Sequence, residues 1–330
     1  MKTTIVTMGV CAPERRAYAE RAAVALGRPL HAVVRSAAHP LPHPRSRIDG
    51  ERVVVDLGTD VDLIHAIAAR GGVEVEAVCV VDARHMMGDL LDDAPLVAST
   101  APGDPRGDVG ARARQAAVAL EIATRIVWVN WELVPTAALA LQMALASHLN
   151  PGATLRLTRD ARADLSATAP REHETEVLER AGWVRALNDE HDPYMRDNRV
   201  STLRYDQVRP FHPARLQTAL DRLDHGAAGR LVRSAGFCRL ASRPGILARW
   251  EHVGSAMWIE PLRADDGNLG VGQEIAFTGL DISAPRLRHI LDLAALTDDE
   301  LAAGPDAWAA FDDPLPAWPT VDLTIPDATD

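Results

Sequence analysis

Short runs of valine and isoleucine recur through the first half of the chain and alternate with stretches of helical periodicity, and no other feature restricts the fold as much. Residues 3–9, 52–57, 75–81 and 126–129 are such runs, short enough to be strands covered on both faces. Residues 14–26, 61–69, 111–123 and 136–148 space alanine and leucine so that one side of a helix is buried, and Pro13 opens the first of them. Strands alternating with helices of this length need right-handed crossovers and a parallel sheet. The first half is therefore expected to be α/β, with helices on both faces of the sheet.

Further along, 95–110 is rich in Pro, Gly, Asp and Ser and reads as a surface loop. Residues 159–198 have a similar polar bias, with a helix expected at 172–181, and suit a connection between domains, the boundary falling near 195. After it come strand-like runs at 200–204, 231–240, 256–261 and 274–278 and helical patterns at 213–223 and 285–293, the makings of a smaller α+β domain. From residue 305 the chain is rich in proline, aspartate and tryptophan and is expected to wrap the surface. The organisation is thus 1–158, a connection at 159–197, a second domain at 198–304 and an acidic tail at 305–330.

With 330 residues, 47% of them apolar, the chain has enough material for two cores. Its net charge of -11 argues against binding nucleic acid with the whole surface. The sign is uneven: arginines crowd 199–249, whereas 260–330 is acidic. Three readings of 199–249 stay open. The arginines contact RNA, a ribosome or an acidic partner; they face solvent between the buried aromatics Phe211, Phe237 and Trp250; or they pair with the acidic tail. Cys11, Cys79 and Cys238 are isolated, so neither a disulfide framework nor a cysteine zinc site is indicated. The opening residues lack a secretory pattern and no apolar stretch reaches bilayer length, so a cytoplasmic protein without membrane contact is expected.

RPFHP at 209–213 is followed by RSAGFCRLASRP at 233–244, by Trp250 ahead of Gly254, by QEIAFTGLDISAPRLRHILD at 273–292 and by LTDDEL at 296–301. In order and spacing these segments resemble the C-terminal domain of the CobW family. DAWAAFDDPLPAW at 306–318 is similar to actinobacterial members, including those that recruit a ribosome hibernation factor. LNPGA at 149–153 and VVDA at 80–83 resemble that family's GTPase domain. The resemblance implies a P-loop NTPase-like sheet followed by the smaller CobW C-terminal domain, GTP and Mg2+ as cofactors, a protein partner, and a setting in zinc homeostasis, cofactor metallation or ribosome hibernation. It points to Arg209, His212 and Arg233 as a partner surface.

The catalytic motifs depart from that pattern. A P-loop turns glycine N–H groups toward phosphate and supplies a lysine and a magnesium-binding hydroxyl. The matching stretch runs Gly9-Val10-Cys11-Ala12-Pro13-Glu14-Arg15-Arg16, and only the first glycine survives. Glu14 puts a carboxylate where phosphate would be attracted, Arg15 lacks lysine's compact geometry, Arg16 cannot replace a hydroxyl, and Lys2 is the sole lysine of the chain. The guanine motif is reduced to Asn130-Trp131-Glu132-Leu133. Asp56, before Gly58, stands where a strand-end acid would hold magnesium through water, or else belongs to an ordinary turn. The family's C-x-C-C metal motif is missing.

Gly9, Arg15, Arg16, Asp56 and Asn130 therefore mark a vestigial nucleotide site. His39 and His43, with His31 or Asp49, offer ligands for Zn2+, against the alternative of a solvated proline-rich loop. His85 either faces the cleft or lies on the surface, and His252 has no partner identifiable in sequence. The expectation is a non-hydrolysing scaffold that binds a partner. The alternatives are a GTPase metallochaperone in which Arg15 replaces the lysine, and an RNA-contacting protein acting through 199–249.

Overall fold

The computed structural model describes residues 3–33, 52–59, 61–68, 74–92, 111–166, 177–264 and 272–318. In chain order the first part contains β1 (Thr3–Met8), α1 (Ala12–Leu26), β2 (Leu30–Val33), β3 (Val54–Leu57), α2 (Leu63–Ala68), β4 (Glu74–Asp82), α3 (Met86–Asp89), α4 (Arg112–Ile122), β5 (Arg125–Val129), α5 (Thr136–Leu149), β6 (Thr154–Leu157) and α6 (Ala161–Ser166). Its strands form one parallel sheet in the order β2-β3-β1-β4-β5-β6. Each expected apolar run is a strand. The edge strands β2 and β6 went unforeseen because, covered on one side only, they carry polar residues such as His31 and Arg156 and lack an apolar run. One core lies under α2, α4 and α5, and a second lies under α1 on the opposite face.

α7 (Gly182–Leu187) precedes the second part, which contains β7 (Val200–Gln207), α8 (Pro213–Asp224), β8 (Arg230–Cys238), β9 (Ile246–Val253), β10 (Ala256–Ala264), β11 (Gln273–Leu280), α9 (Ala284–Asp292), α10 (Asp298–Ala303) and α11 (Pro305–Trp308). Its antiparallel sheet has the order β10-β9-β8-β11-β7. β9 was hidden in the arginine-rich stretch, where Arg249, Glu251 and His252 break an apolar reading. The helix expected at 172–181 is a 3-10 turn at Val177–Arg180, with 172–176 outside the described residues.

One face of this sheet is covered by α8 and α9, and Tyr205, Trp250, Ile275 and Phe277 pack under them. The other face meets the first domain: α7 and α5 lie against it, and Val200, Val232 and Val253 join the core of the parallel sheet. The LNPGA segment acquires a physical role at this seam. The Asn150 Nδ2 donates toward the carbonyls of Leu120 (2.9 Å), Glu121 (3.0 Å) and Ala123 (2.8 Å), closing the carboxyl end of α4, whose last carbonyls have no partner inside the helix. The tail runs back over the surface, with Trp308 and Leu315 buried and the Trp318 indole N–H donating to the Ile259 carbonyl at 2.7 Å.

Candidate functional site

In an open parallel sheet, ligands bind beyond the carboxyl ends of the strands where the strand order reverses. Here that point is β1, flanked by β3 on one side and β4 on the other. The register sets Thr7 of β1 beside Asp56 of β3, and Gly9 follows directly. Gly9 has φ +137, and a Cβ there would lie 2.3 Å from the Val80 carbonyl oxygen, so the turn passes against β4 at a distance only glycine permits.

From this turn α1 sends Arg15 back into the protein. Its Nε donates to Asp56 Oδ1 at 2.6 Å and its NH1 group to the Gly9 carbonyl at 2.8 Å. Thr7 Oγ1 approaches the same carboxylate oxygen at 3.3 Å. Arg15 and Asp56 are each about 5% exposed, so two residues of the expected nucleotide site neutralise one another within the fold. Arg16 faces solvent and pairs with Glu20 at 3.3 Å, one helical turn on, and so lies outside the site. Glu14 is half-buried in the first turn of α1.

Cys11, from the loop stretch itself, and two residues that no sequence motif marks, Asp89 and Arg112, close the other side of the turn. Cys11 Sγ donates to Asp89 Oδ2 at 3.2 Å, and Arg112, at the start of α4, donates to Asp89 Oδ1 at 2.7 Å. Burial, reinforced by Asp89, pushes the Cys11 thiol up to about 12, away from thiolate chemistry. Gly9, Cys11, Cys79, Asp82, Met86 and Asp89 border a cavity of about 20 Å³. That holds roughly one water, whereas small-molecule sites run to about 300 Å³ or more. At the next strand end, the Asn130 Nδ2 donates to Asp82 Oδ2 at 3.0 Å, which commits the amide a guanine would need. Trp131 donates its indole N–H to the Thr158 carbonyl and carries Arg159 over its ring. His85 is exposed, 3.9 Å from Asp82. His39, His43 and Asp49 lie outside the described residues, and His31 is exposed on β2.

In the second domain the RPFHP segment acts as a stitch. Phe211 is fully buried and exchanges backbone bonds with Arg239 and Ala241; His212 occupies the N-cap position of α8 without a side-chain capping bond, its ring stacked 4.5 Å from that of Phe311 in the tail. Arg209 pairs with Asp298, Arg215 with Glu300 and Arg243 with Asp313. Of these pairs only Arg243–Asp313 joins the basic segment to the acidic tail; the other two lie within the second domain. Arg233, expected on a partner surface, is 2% exposed. It reaches into the first domain, where its Nε lies 2.6 Å from Glu121 Oε1, and it also approaches Glu251 at 3.5 Å. Glu251 in turn receives Arg114 of α4 at 2.7 Å, and the Arg114 guanidinium lies 5.1 Å from the Trp258 ring centre. Two glutamates and two arginines therefore join the domains, and Glu121, Arg233 and Glu251 among them are buried.

Residues 200–295 match the family described as "Cobalamin synthesis protein cobW C-terminal domain". The chain carries the C-terminal domain of the CobW family. Among curated relatives, a zinc-regulated GTPase metalloprotein activator 1 of Dictyostelium discoideum is 27% identical over 163 residues, covering 42% of this chain and 34% of that protein. A zinc chaperone of Mycobacterium tuberculosis is 26% identical over 153 residues, covering 38% of this chain and 37% of that protein. The chain therefore spans little more than a third of the length of the curated relatives it matches. The Zn(II)-bound YjiA GTPase from E. coli aligns over 89% of this chain and 99% of its own, with a TM-score of 0.36 and 10% identity.

The GTP and Mg2+ that CobW resemblance implies do not fit the residues present. Arg15 fills the space beside Asp56, and Asn130 is bonded to Asp82. Among the described residues no group of three or more His, Cys, Asp or Glu could hold a metal ion, and no helix is long and apolar enough to cross a membrane.

A pH response is built into the seam beneath the CobW-type sheet. His148 donates to or accepts from Thr202 at 3.0 Å, and burial, then His191 and Arg196, lowers its pKa to about 4. His252 is lowered to about 4 by burial and then by Arg233. An unfolded histidine near 6.5 binds a proton that these folded ones refuse, so stability is complete above pH 6.5 and declines as pH falls toward 4. Each histidine contributes a slope of up to about 1.4 kcal/mol per pH unit in that window. Urea midpoints measured between pH 7.5 and 5 are expected to fall for the native chain and to fall less for His148→Gln; equal slopes would count against the assignment.

Proposed function

We propose that this CobW-type protein serves metal homeostasis, zinc in particular, by binding a protein partner, and that it neither binds nor hydrolyses GTP. The observation that carries the reading is the buried Arg15–Asp56 pair, 2.6 Å apart at the point where a nucleotide would have to sit. The names of the zinc chaperone and of the zinc-regulated activator, both partial matches, support the setting. The client is a metalloprotein or, as the tail's resemblance implies, a ribosome hibernation factor. The first domain acts as a rigid support, since the Glu121–Arg233 and Arg114–Glu251 pairs fix the second domain to it.

Calorimetric titration with GTP, GDP and ATP in magnesium tests this. The native chain is expected to show no heat at millimolar nucleotide, while the variant Glu14→Gly, Arg15→Lys, Arg16→Thr restores part of the loop and serves as the positive comparison. Micromolar GTP binding by the native chain would overturn the reading in favour of an active metallochaperone that uses Arg15.

A further inference from the structure

We propose that Asp56 and the Gly9 carbonyl form a guanidinium-binding site, with Thr7 holding the carboxylate, and that Arg15 is its tethered ligand, an internal cation that holds the first domain in one state without nucleotide. Three observations carry this. The two acceptors are prebuilt: the β1–β3 register sets the Asp56 carboxylate beside Thr7, whose hydroxyl donates to it, and the φ of +137 at Gly9 fixes the turn that presents its carbonyl. The bonds use the planar fork of arginine, with Nε on the carboxylate at 2.6 Å and NH1 on the carbonyl at 2.8 Å, a pair of directions that one ammonium group on a flexible stem does not reproduce. The site is also sealed from water, with Thr7 at 0%, Arg15 at 5% and Asp56 at 5% exposure. Removing the occupant leaves a desolvated carboxylate with a guanidinium-shaped vacancy beside it, and such a charge recruits a replacement cation.

The proposal rests on the reading of the first domain as nucleotide-silent, but its test is separate. Thermal unfolding is followed for the native chain, Arg15→Ala, and Arg15→Ala combined with Asp56→Ala, each in matched concentrations of sodium, magnesium or methylguanidinium chloride. Arg15→Ala is expected to melt roughly 5–10 °C below the native chain. Millimolar methylguanidinium is expected to recover part of that loss saturably, with no effect on the native chain or on the double variant. No recovery, equal recovery by magnesium, or equal recovery in the double variant would overturn the assignment.

If Arg15→Ala does not fold, Arg15→Lys and Arg15→Met decide: the lysine variant is expected to melt above the methionine variant, and the reverse order overturns the proposal. GTP binding by the native chain would remove the nucleotide-silent reading whatever the rescue shows. Failed rescue would remove this proposal and leave nucleotide silence standing.

Discussion

Arg233→Met is expected to destabilise the protein by about 3–5 kcal/mol, the cost of stranding a buried charge. The stranded group is Glu121, 4% exposed, which meets Arg233 at 2.6 and 3.2 Å through its two carboxylate oxygens. Glu251 is protected from the same fate, because Arg114 and Arg249 stay within 2.7 and 3.4 Å of it. Burial alone would raise the Glu251 carboxyl, yet Arg233 and Arg114 hold it well below the usual carboxylate range, so its share of stability is lost only as pH falls below about 4.5. Pairing Arg233→Met with Glu121→Leu removes both charges and is expected to recover most of the loss, since an apolar pair of similar volume often matches a buried ion pair. Denaturant unfolding of the two single variants and the double variant measures this. Simple additivity of the single losses would mean that Glu121 and Arg233 are not coupled.

Gly9→Ala is expected to cost about 4 kcal/mol or more, at the extreme end for a single methyl group. The new Cβ would sit 2.3 Å from the Val80 oxygen and 3.3 Å from its carbonyl carbon, and backbone of a central strand cannot step aside as a side chain would. A φ of +137 adds strain that an L residue avoids. Relief requires the turn to move, which shifts the Gly9 carbonyl away from Arg15 and loosens the Asp56 pair. The variant is expected to melt at least several degrees below the native chain and to lose hydrogen-exchange protection around 9–15. A melting temperature unchanged from the native chain would show that the turn relaxes freely.

Local pattern made much of the protein legible. The Val/Ile runs at 3–9, 52–57, 75–81 and 126–129 became β1, β3, β4 and β5 because strands covered on both faces admit few polar residues. α8 and α9 were visible for the complementary reason, each presenting one apolar side to a sheet. The departure of residues 9–16 from the P-loop pattern is likewise readable, since a motif depends on which residues stand there and not on their surroundings. β9 is not legible as an apolar run because its charge is satisfied inside the fold: Glu251 is taken up by Arg114 across the domain seam and by Arg233 and Arg249 within the second domain.

What the first-domain site became was decided by tertiary structure. Arg15 and Asp56 are 41 residues apart, and Cys11 and Asp89 are 78 apart, so only the strand order and the β1–β3 register bring them together. The same holds for Arg233, which by composition belonged to a basic surface and by position faces Glu121, 112 residues away. Sequence alone determined the α/β alternation, the CobW-type second domain and the departure of residues 9–16 from the phosphate-loop pattern, because periodicity and motif are local properties of the chain. Whether a charge is exposed or paired was settled only by the fold, because it depends on which distant groups share a space without water.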